Sequence, residues 1–377
     1  MKYTEYGQLG IDVSCVGFGG MRFDTSRPRA ENADLVRYAF DQGINYFDTA
    51  PDYCGGLSEA IYGEAFKEMP RDRFLVSTKG MPQAFDTAQK AREAVEKSLD
   101  NMGIDKIDFY HVWCLRKMDH YDLALRPGGQ YEGLLQCKEE GLIDHIVFSS
   151  HQPGHEIRKI LEDAKFEGVL MGVNILNFPY RWDGVLAASE MGYGTVAMNP
   201  LAGGAIPNHQ DRLSFLTQKN ETPVEAALRF IIGCPHIDIA LVGFTNREHV
   251  EDACRIADAN DPFTEQELER IRAQLRESMT AICTGCGYCT GCPQNIPVAS
   301  YMQAYNDKPL FGADDKKMKD QLGFHRSWGW LVGRKADAAD CVECGICEEK
   351  CTQKLPIIER LRELAEWETE ISQAGEG

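Results

Sequence analysis

Fourteen cysteines are present, and eight of them fall into two tight runs near the C-terminus. The first reads Cys283-x2-Cys286-x2-Cys289-x2-Cys292-Pro293 and the second Cys341-x2-Cys344-x2-Cys347-x3-Cys351. Thiolates two residues apart can wrap three corners of an iron-sulfur cube, with a fourth, more distant Cys closing it, so the runs point to two [4Fe-4S] clusters. Zinc is the competing reading, but zinc sites usually offer two CxxC knuckles per metal rather than runs of four thiolates. The other six, Cys15, Cys54, Cys114, Cys137, Cys234 and Cys254, are scattered singly and are expected to be buried apolar residues.

A second group of reactive residue types lies near the N-terminus. Asp48-Thr49-Ala50-Pro51-Asp52-Tyr53, Ser77-Thr78-Lys79 and Tyr110-His111-Val112-Trp113 each end a short apolar, β-branched run. Asp, Tyr and Lys converging at strand ends suit carbonyl reduction. A phenol is a weak acid at neutral pH, and a neighbouring ammonium is expected to lower its pKa. Tyr53 would then give a proton to a carbonyl oxygen as hydride reaches the carbon, with Asp48 holding Lys79 in place.

These residues need a scaffold that brings strand ends together. Strands are predicted at Cys15 to Gly19, Ile44 to Thr49, Phe74 to Lys79, Ile107 to Trp113, His145 to Ser150, Val169 to Asn174, Thr195 to Pro200 and Ile239 to Phe244. Most are followed by an amphipathic helix, such as Ala33 to Gln42, Thr87 to Met102 and Gln130 to Glu140. Strand-helix alternation repeated eight times is the pattern of a (β/α)8 TIM barrel, in which chemistry occupies the C-terminal strand ends. A doubly wound sheet is the alternative, but Gly17-Phe18-Gly19-Gly20 lacks the third glycine and the helix of a dinucleotide fingerprint. The segment Leu115 to Gly129 reads as a solvated loop, in which Arg116, Lys117, His120 and Arg126 are the candidates to receive an anion.

The chain of 377 residues suits one large domain, 1–275, and a small, mostly α-helical ferredoxin-like domain, 276–377. The apolar patch Trp328-Gly329-Trp330-Leu331 is expected to pack the second against the first. The net charge of −18 and the lack of any basic run argue against nucleic acid as a partner. Acidic residues are spread along helical faces such as Glu265 to Glu277, as solubility requires. No apolar run is long enough to span a bilayer and the first residues lack a secretory h-region, so a cytoplasmic location is expected, with no membrane partner.

Taken together, Tyr6-Gly7-Gln8-Leu9-Gly10, Phe47-Asp48-Thr49-Ala50 with Tyr53 and Ser58-Glu59, Ser77-Thr78-Lys79, Phe148-Ser149-Ser150-His151, Ala197 to Gly204 and Val242-Gly243-Phe244-Thr245 resemble the aldo-keto reductases. The resemblance is to the branch with a C-terminal ferredoxin-like extension. It implies a barrel that binds NADP (or NAD) without a Rossmann motif and reduces carbonyls through an Asp, Tyr, Lys, His tetrad. Asp48, Tyr53 and Lys79 match three members; the position of the fourth holds Trp113, with His111 two residues earlier on the same strand face. Three readings follow: His111 substitutes, Trp113 shapes a pocket for a planar substrate while Tyr53 suffices, or carbonyl reduction has been lost. By the same resemblance Ser149 and Ser150 would hold the nicotinamide amide, and Pro200, Leu201 and Gly203 would line the pyrophosphate path. Gly243, Thr245 and Arg247, where the eighth strand turns into a helix, would meet phosphate, Arg247 favouring NADP.

The cysteine runs in turn resemble those of bacterial two-cluster ferredoxins. That likeness would place Cys283, Cys286, Cys289 and Cys351 on one cluster and Cys341, Cys344, Cys347 and Cys292 on the other. The first run departs in having two residues before its last Cys, and the second in having Thr352 where Pro is usual. The function implied is an NAD(P)H-dependent oxidoreductase of a small carbonyl or alcohol, with a possible redox partner protein. The alternative is an NADPH-binding electron-transfer or sensing subunit with little carbonyl reductase turnover.

Overall fold

A computed structural model describes residues 1–217, 221–259, 264–278, 282–283, 289–351 and 354–374. Ten strands are described: β1 (Tyr3–Glu5), β2 (Asp12–Ser14), β3 (Val16–Gly19), β4 (Tyr46–Asp48), β5 (Leu75–Gly80), β6 (Ile107–Leu115), β7 (Ile143–Ser150), β8 (Gly168–Gly172), β9 (Gly194–Met198) and β10 (Ile239–Val242). Strands β3 to β10 pair in parallel and close into a barrel in chain order, β10 returning to β3. All eight barrel strands fall where alternation of apolar runs and helices placed them, within a few residues at each end.

The helices between them show why this sequence alternates. In Ala88–Met102, Ala91, Val95, Leu99 and Met102 recur every three or four residues and are buried. The Thr87 side chain accepts from the Lys90 N–H at the start, and Gly103 ends the helix at φ 62°. In Pro223–Ile232 a capping box joins Thr222 and Glu225, with Pro in the first turn.

Two elements depart from expectation. The antiparallel pair β1–β2 is new; three-residue strands are too short to show an alternation. Tyr6, in its turn, plugs the barrel floor against Phe109, 4.5 Å away between ring centroids. Space for it comes from Gly168 and Gly194; a Cβ on Gly194 would lie 1.8 Å from the Tyr6 ring. That end of the barrel interior is thereby filled, leaving the C-terminal strand ends as the place where barrels of this kind carry their chemistry. The second departure is the helix Met118–Leu125 within what reads as a loop. Its charged surface hides the pattern, but His120, Tyr121 and Ala124 are buried beneath it.

A separate apolar core lies beyond the barrel. It joins Tyr301, Met302, Leu322, Leu331, Leu361, Leu364 and Trp367 from the helices Val298–Tyr305, Asp315–Ser327 and Ile357–Ala374 and the turn after the second of these. The Trp328–Leu331 patch divides its side chains. Leu331 enters this core, while Trp330 meets Tyr180 of the barrel at 6.2 Å and Trp328 lies under Arg116 at 4.9 Å. Among the described residues no helix is long and apolar enough to cross a membrane.

Candidate active site and cluster domain

Parallel pairing sets Asp48 beside Ser77 and Lys79 beside His111. All four are buried at the barrel's upper end. Lys79 Nζ donates to Asp48 Oδ1 at 2.6 Å and to the Thr49 carbonyl at 2.7 Å. Burial pushes the Asp48 carboxyl up, against the charge and hydrogen bond of Lys79 and the Ser77 hydroxyl. Burial likewise pushes the Lys79 ammonium down, against the pull of Asp48. Each group thus depends on the other to remain charged.

His111 lies below this pair. Its Nε2 is 2.9 Å from Ser77 Oγ, and that hydroxyl donates to Asp48 Oδ2 at 2.8 Å. Because the Ser77 hydrogen is committed to Asp48, the Ser77 oxygen accepts from His111 Nε2–H. Burial first, and then the Lys79 charge, hold the His111 pKa well below its ordinary value, so the ring is neutral at physiological pH. Its reach is to Asp48 through Ser77, beneath the mouth. The reading in which His111 takes the place of the missing group at the substrate finds no support in this geometry.

Tyr53 follows β4 through a tight turn in which Cys54 and Gly55 take φ values of 55° and 65°. The turn lays the Tyr53 ring over the pair: Lys79 Nζ is 4.8 Å from its ring centroid. Trp113 meets Tyr53 edge to face at 5.7 Å, as expected of a residue on the His111 face of β6 but nearer the mouth. One expectation is overturned. The Tyr53 pKa is raised well above 10, not lowered, by burial first and then by the Asp48 charge. The Lys79 ammonium is already answered by Asp48, so desolvation prevails.

Ser149 and Ser150 are buried and turned toward β6. Ser149 Oγ accepts from the Cys114 N–H at 2.8 Å, and Ser150 Oγ donates to the Leu115 carbonyl at 2.8 Å. Both bonds brace an irregularity in the β6–β7 pairing between Val112 and Leu115, where Cys114 has φ 63°. That bulge aims Trp113 at Tyr53. Ser150 has no hydrogen left for a ligand, whereas the Ser149 hydroxyl hydrogen remains available.

On the opposite rim, Gly203 and Gly204 after Pro200 and Leu201 take positive φ values of 67° and 101°. Arg22, which sequence reasoning missed, donates to the Gly203 carbonyl at 3.2 Å and packs so tightly on Gly243 that a Cβ there would be 2.7 Å from Arg22 Cγ. Arg27 donates to the Thr245 carbonyl at 3.3 Å. The helix Arg247–Ala259 starts with Asn246 Oδ1 accepting from the His249 N–H, and the exposed Arg247 lies over the Tyr38 ring at 4.6 Å. The rim therefore gathers Gly203, Gly243, Thr245 and Arg247 with Arg22 and Arg27, a concentration of cations suited to phosphate. No motif signalled the two added arginines, because they lie more than two hundred residues away from Thr245 in sequence.

Of the eight run cysteines, Cys286 lies outside the described residues. Cys283, Cys289 and Cys351 are buried in the second apolar core, and Cys292, Cys341 and Cys347 pack against it; Cys344 is exposed. None of the described cysteines is in a disulfide. Among the described residues, no group of three or more such side chains is already gathered into a metal cage. Glu343 and Gly345 on either side of Cys344 take φ values of 55° and 77°, the tight wrap that two-residue spacing demands. Thiols from both runs in one core form a donor set of the type that iron-sulfur clusters use. The six single cysteines are buried as expected, apart from the half-buried Cys54.

A barrel with a buried Asp-Lys pair under a Tyr, joined to a cysteine-rich helical unit, defines an oxidoreductase with an iron-sulfur domain. Residues 15–276 match the aldo/keto reductase family and residues 282–355 the 4Fe-4S dicluster domain. The chain belongs to the aldo/keto reductase family and is an NAD(P)H-dependent oxidoreductase. It is similar to the uncharacterized oxidoreductase YqkF of Bacillus subtilis, with 23% identity over 74% of this chain and 98% of that protein. The D-threo-aldose 1-dehydrogenase of a Pseudomonas species is 24% identical over 62% of this chain and 80% of its own. Among solved structures, an aldo-keto reductase from Bacillus halodurans in its holo form aligns with a TM-score of 0.61, 24% identity, and 73% and 96% of the two chains covered. An aldo-keto reductase from Klebsiella pneumoniae in complex with NADPH gives 0.60, 20%, and 72% and 94%. These structural likenesses establish the barrel fold.

Proposed function

We propose that the chain reduces a small carbonyl compound with NADPH, with Tyr53 as the proton donor. The carrying observation is the fully buried Asp48–Lys79 pair, with Lys79 Nζ 4.8 Å from the Tyr53 ring. NADPH, when bound, supplies the hydride. Tyr53, protonated throughout the physiological range, gives its proton to the carbonyl oxygen as negative charge develops there, and Lys79 stabilises the phenolate left behind. Asp48 keeps Lys79 charged, and His111 and Ser77 hold Asp48. Trp113 walls the pocket with a flat apolar face suited to a planar substrate. Arg22, Arg27 and Arg247 favour NADP over NAD, and Ser149 retains a hydrogen for the nicotinamide amide.

The reading divides the chain into a barrel, 1–275, and a cluster domain, 276–377, with Cys283, Cys286, Cys289 and Cys351 on one [4Fe-4S] cluster and Cys292, Cys341, Cys344 and Cys347 on the other. Such clusters transfer single electrons, so a redox partner protein belongs to the proposal, as does a cytoplasmic, reducing location. The lack of a His at the Trp113 position favours a second reading, an NADPH-binding subunit with little turnover. NADPH oxidation by anaerobically purified protein against a panel of aldehydes and ketones separates the two. Turnover supports the reductase, and tight NADPH binding without it supports the subunit.

A further inference from the structure

Between the barrel mouth and the cluster domain lies a group of cations and imidazoles that the reduction itself does not use. Arg181, on the helix Phe178–Glu190 after β8, is 1% exposed. It donates to the Gly172 carbonyl at 2.9 Å and to the His151 carbonyl at 2.7 Å, and its Nε has no partner. Among the described residues, no carboxylate pairs with it. An interior guanidinium with no counter-charge is costly, and burial holds its pKa down to about 10.

Among the described residues, no carboxylate pairs with its neighbours Arg116, His151 and His325 either. Arg116 donates to the Ser327 carbonyl at 2.5 Å, lies on the Trp328 ring, and has an unpartnered Nε. His325 stacks on Trp330 at 4.6 Å, and Trp330 is 6.0 Å from the Arg181 guanidinium. The His151 ring is held down to about 3 by burial and then by Arg181, Arg116 and His325, with no acid opposing them. Gln152 is buried with its Nε2 unpartnered. Gly172 lies against these groups; a Cβ there would meet His151 Nδ1 at 3.6 Å and Arg181 Cζ at 3.9 Å, ordinary contact distances that it could adopt without a clash.

The position of this group relates it to the site already described. His151 follows directly on Ser149 and Ser150, which brace the bulge aiming Trp113 at Tyr53, and Arg116 lies three residues beyond Trp113. We propose that Arg181, Arg116 and His151 form an anion-receiving subsite at the seam between barrel and cluster domain, and that the carbonyl substrate carries a carboxylate seated there. The second half rests on the carbonyl-reductase reading. The cluster domain, through Trp328, Trp330 and His325, is then a wall of the substrate pocket as well as an electron carrier.

The test compares two aldehydes of equal length, 4-oxobutanoate and butanal, on the cluster-loaded protein, alongside calorimetric titration with succinate. The charged aldehyde is expected to have the higher kcat/KM. Arg181→Met should lower the ratio of the two kcat/KM values by about tenfold or more, the usual effect of losing a charge-assisted hydrogen bond. Arg116→Met, at a less buried position, should move the ratio the same way and guards against misfolding of the first variant. Succinate should bind the wild type and lose at least about tenfold in affinity in either variant. No succinate binding to the wild type, or a ratio unchanged in both folded variants, overturns the proposal. Succinate binding through Arg181 and Arg116 without reduction of either aldehyde keeps the subsite and refutes the carbonyl-reductase reading.

Discussion

Lys79 and Asp48 illustrate how much one buried pair can govern. Neither is more than 2% exposed, so removing one leaves the other charge in a low-dielectric interior. Lys79→Met is expected to destabilise the barrel by about 3–5 kcal/mol, read as a lower urea midpoint at unchanged slope. The double variant with Asp48→Asn should recover much of that loss, because no unpaired charge then remains. The pairing itself was legible, since residues at the ends of adjacent parallel strands must be neighbours. The Tyr53 acidity was not. Its direction depends on how thoroughly Trp113 and the Cys114 bulge exclude water from the phenol, and neither the bulge nor its braces from Ser149 and Ser150 leaves a mark in the sequence.

At the scale of elements, the barrel was readable because eight apolar runs separated by amphipathic helices admit few other closures. What escaped were pieces too short or too charged for periodicity, the β1–β2 pair and the helix Met118–Leu125. The former has a measurable consequence. Asp238, just before β10, accepts from the Gly7 N–H at 3.1 Å and the Thr195 N–H at 2.8 Å, tying the hairpin turn to the floor. Burial raises its carboxyl to about 6, against the two backbone hydrogen bonds. A folded-state pKa above the unfolded one means that the folded chain binds the proton more tightly. The associated stability is complete below about pH 4 and is lost as pH rises through about 6. Between pH 5 and pH 7 this group alone should remove about 1 kcal/mol, and Asp238→Asn should abolish that part of the slope in urea unfolding measured at the two pH values.

At the scale of the whole molecule, two cores meet across a seam in which Arg116, Tyr180 and Arg181 face Trp328, Trp330 and His325. The aromatic patch signalled that contact in the sequence. Of the cations opposite it, Arg116 stood out as a candidate to receive an anion, but Arg181 did not, because a lone arginine on a helix looks like a surface residue until topology brings it beside others. The cysteine runs were plain from spacing, and they set an expected stoichiometry of about eight irons and eight sulfides per chain in anaerobically prepared protein. Cys344→Ser, at an exposed position proposed as a ligand, should lower the iron content toward half with NADPH affinity unchanged; iron unchanged from wild type would show that Cys344 is not a ligand. In the proposed reduction, Tyr53 delivers the proton while NADPH supplies the hydride. The most direct test is steady-state NADPH oxidation by wild type and Tyr53→Phe, with NADPH affinity measured on both by fluorescence titration. The expected result is a fall in kcat of about a hundredfold or more with affinity preserved, and a Tyr53→Phe protein that turns over at the wild-type rate would contradict it.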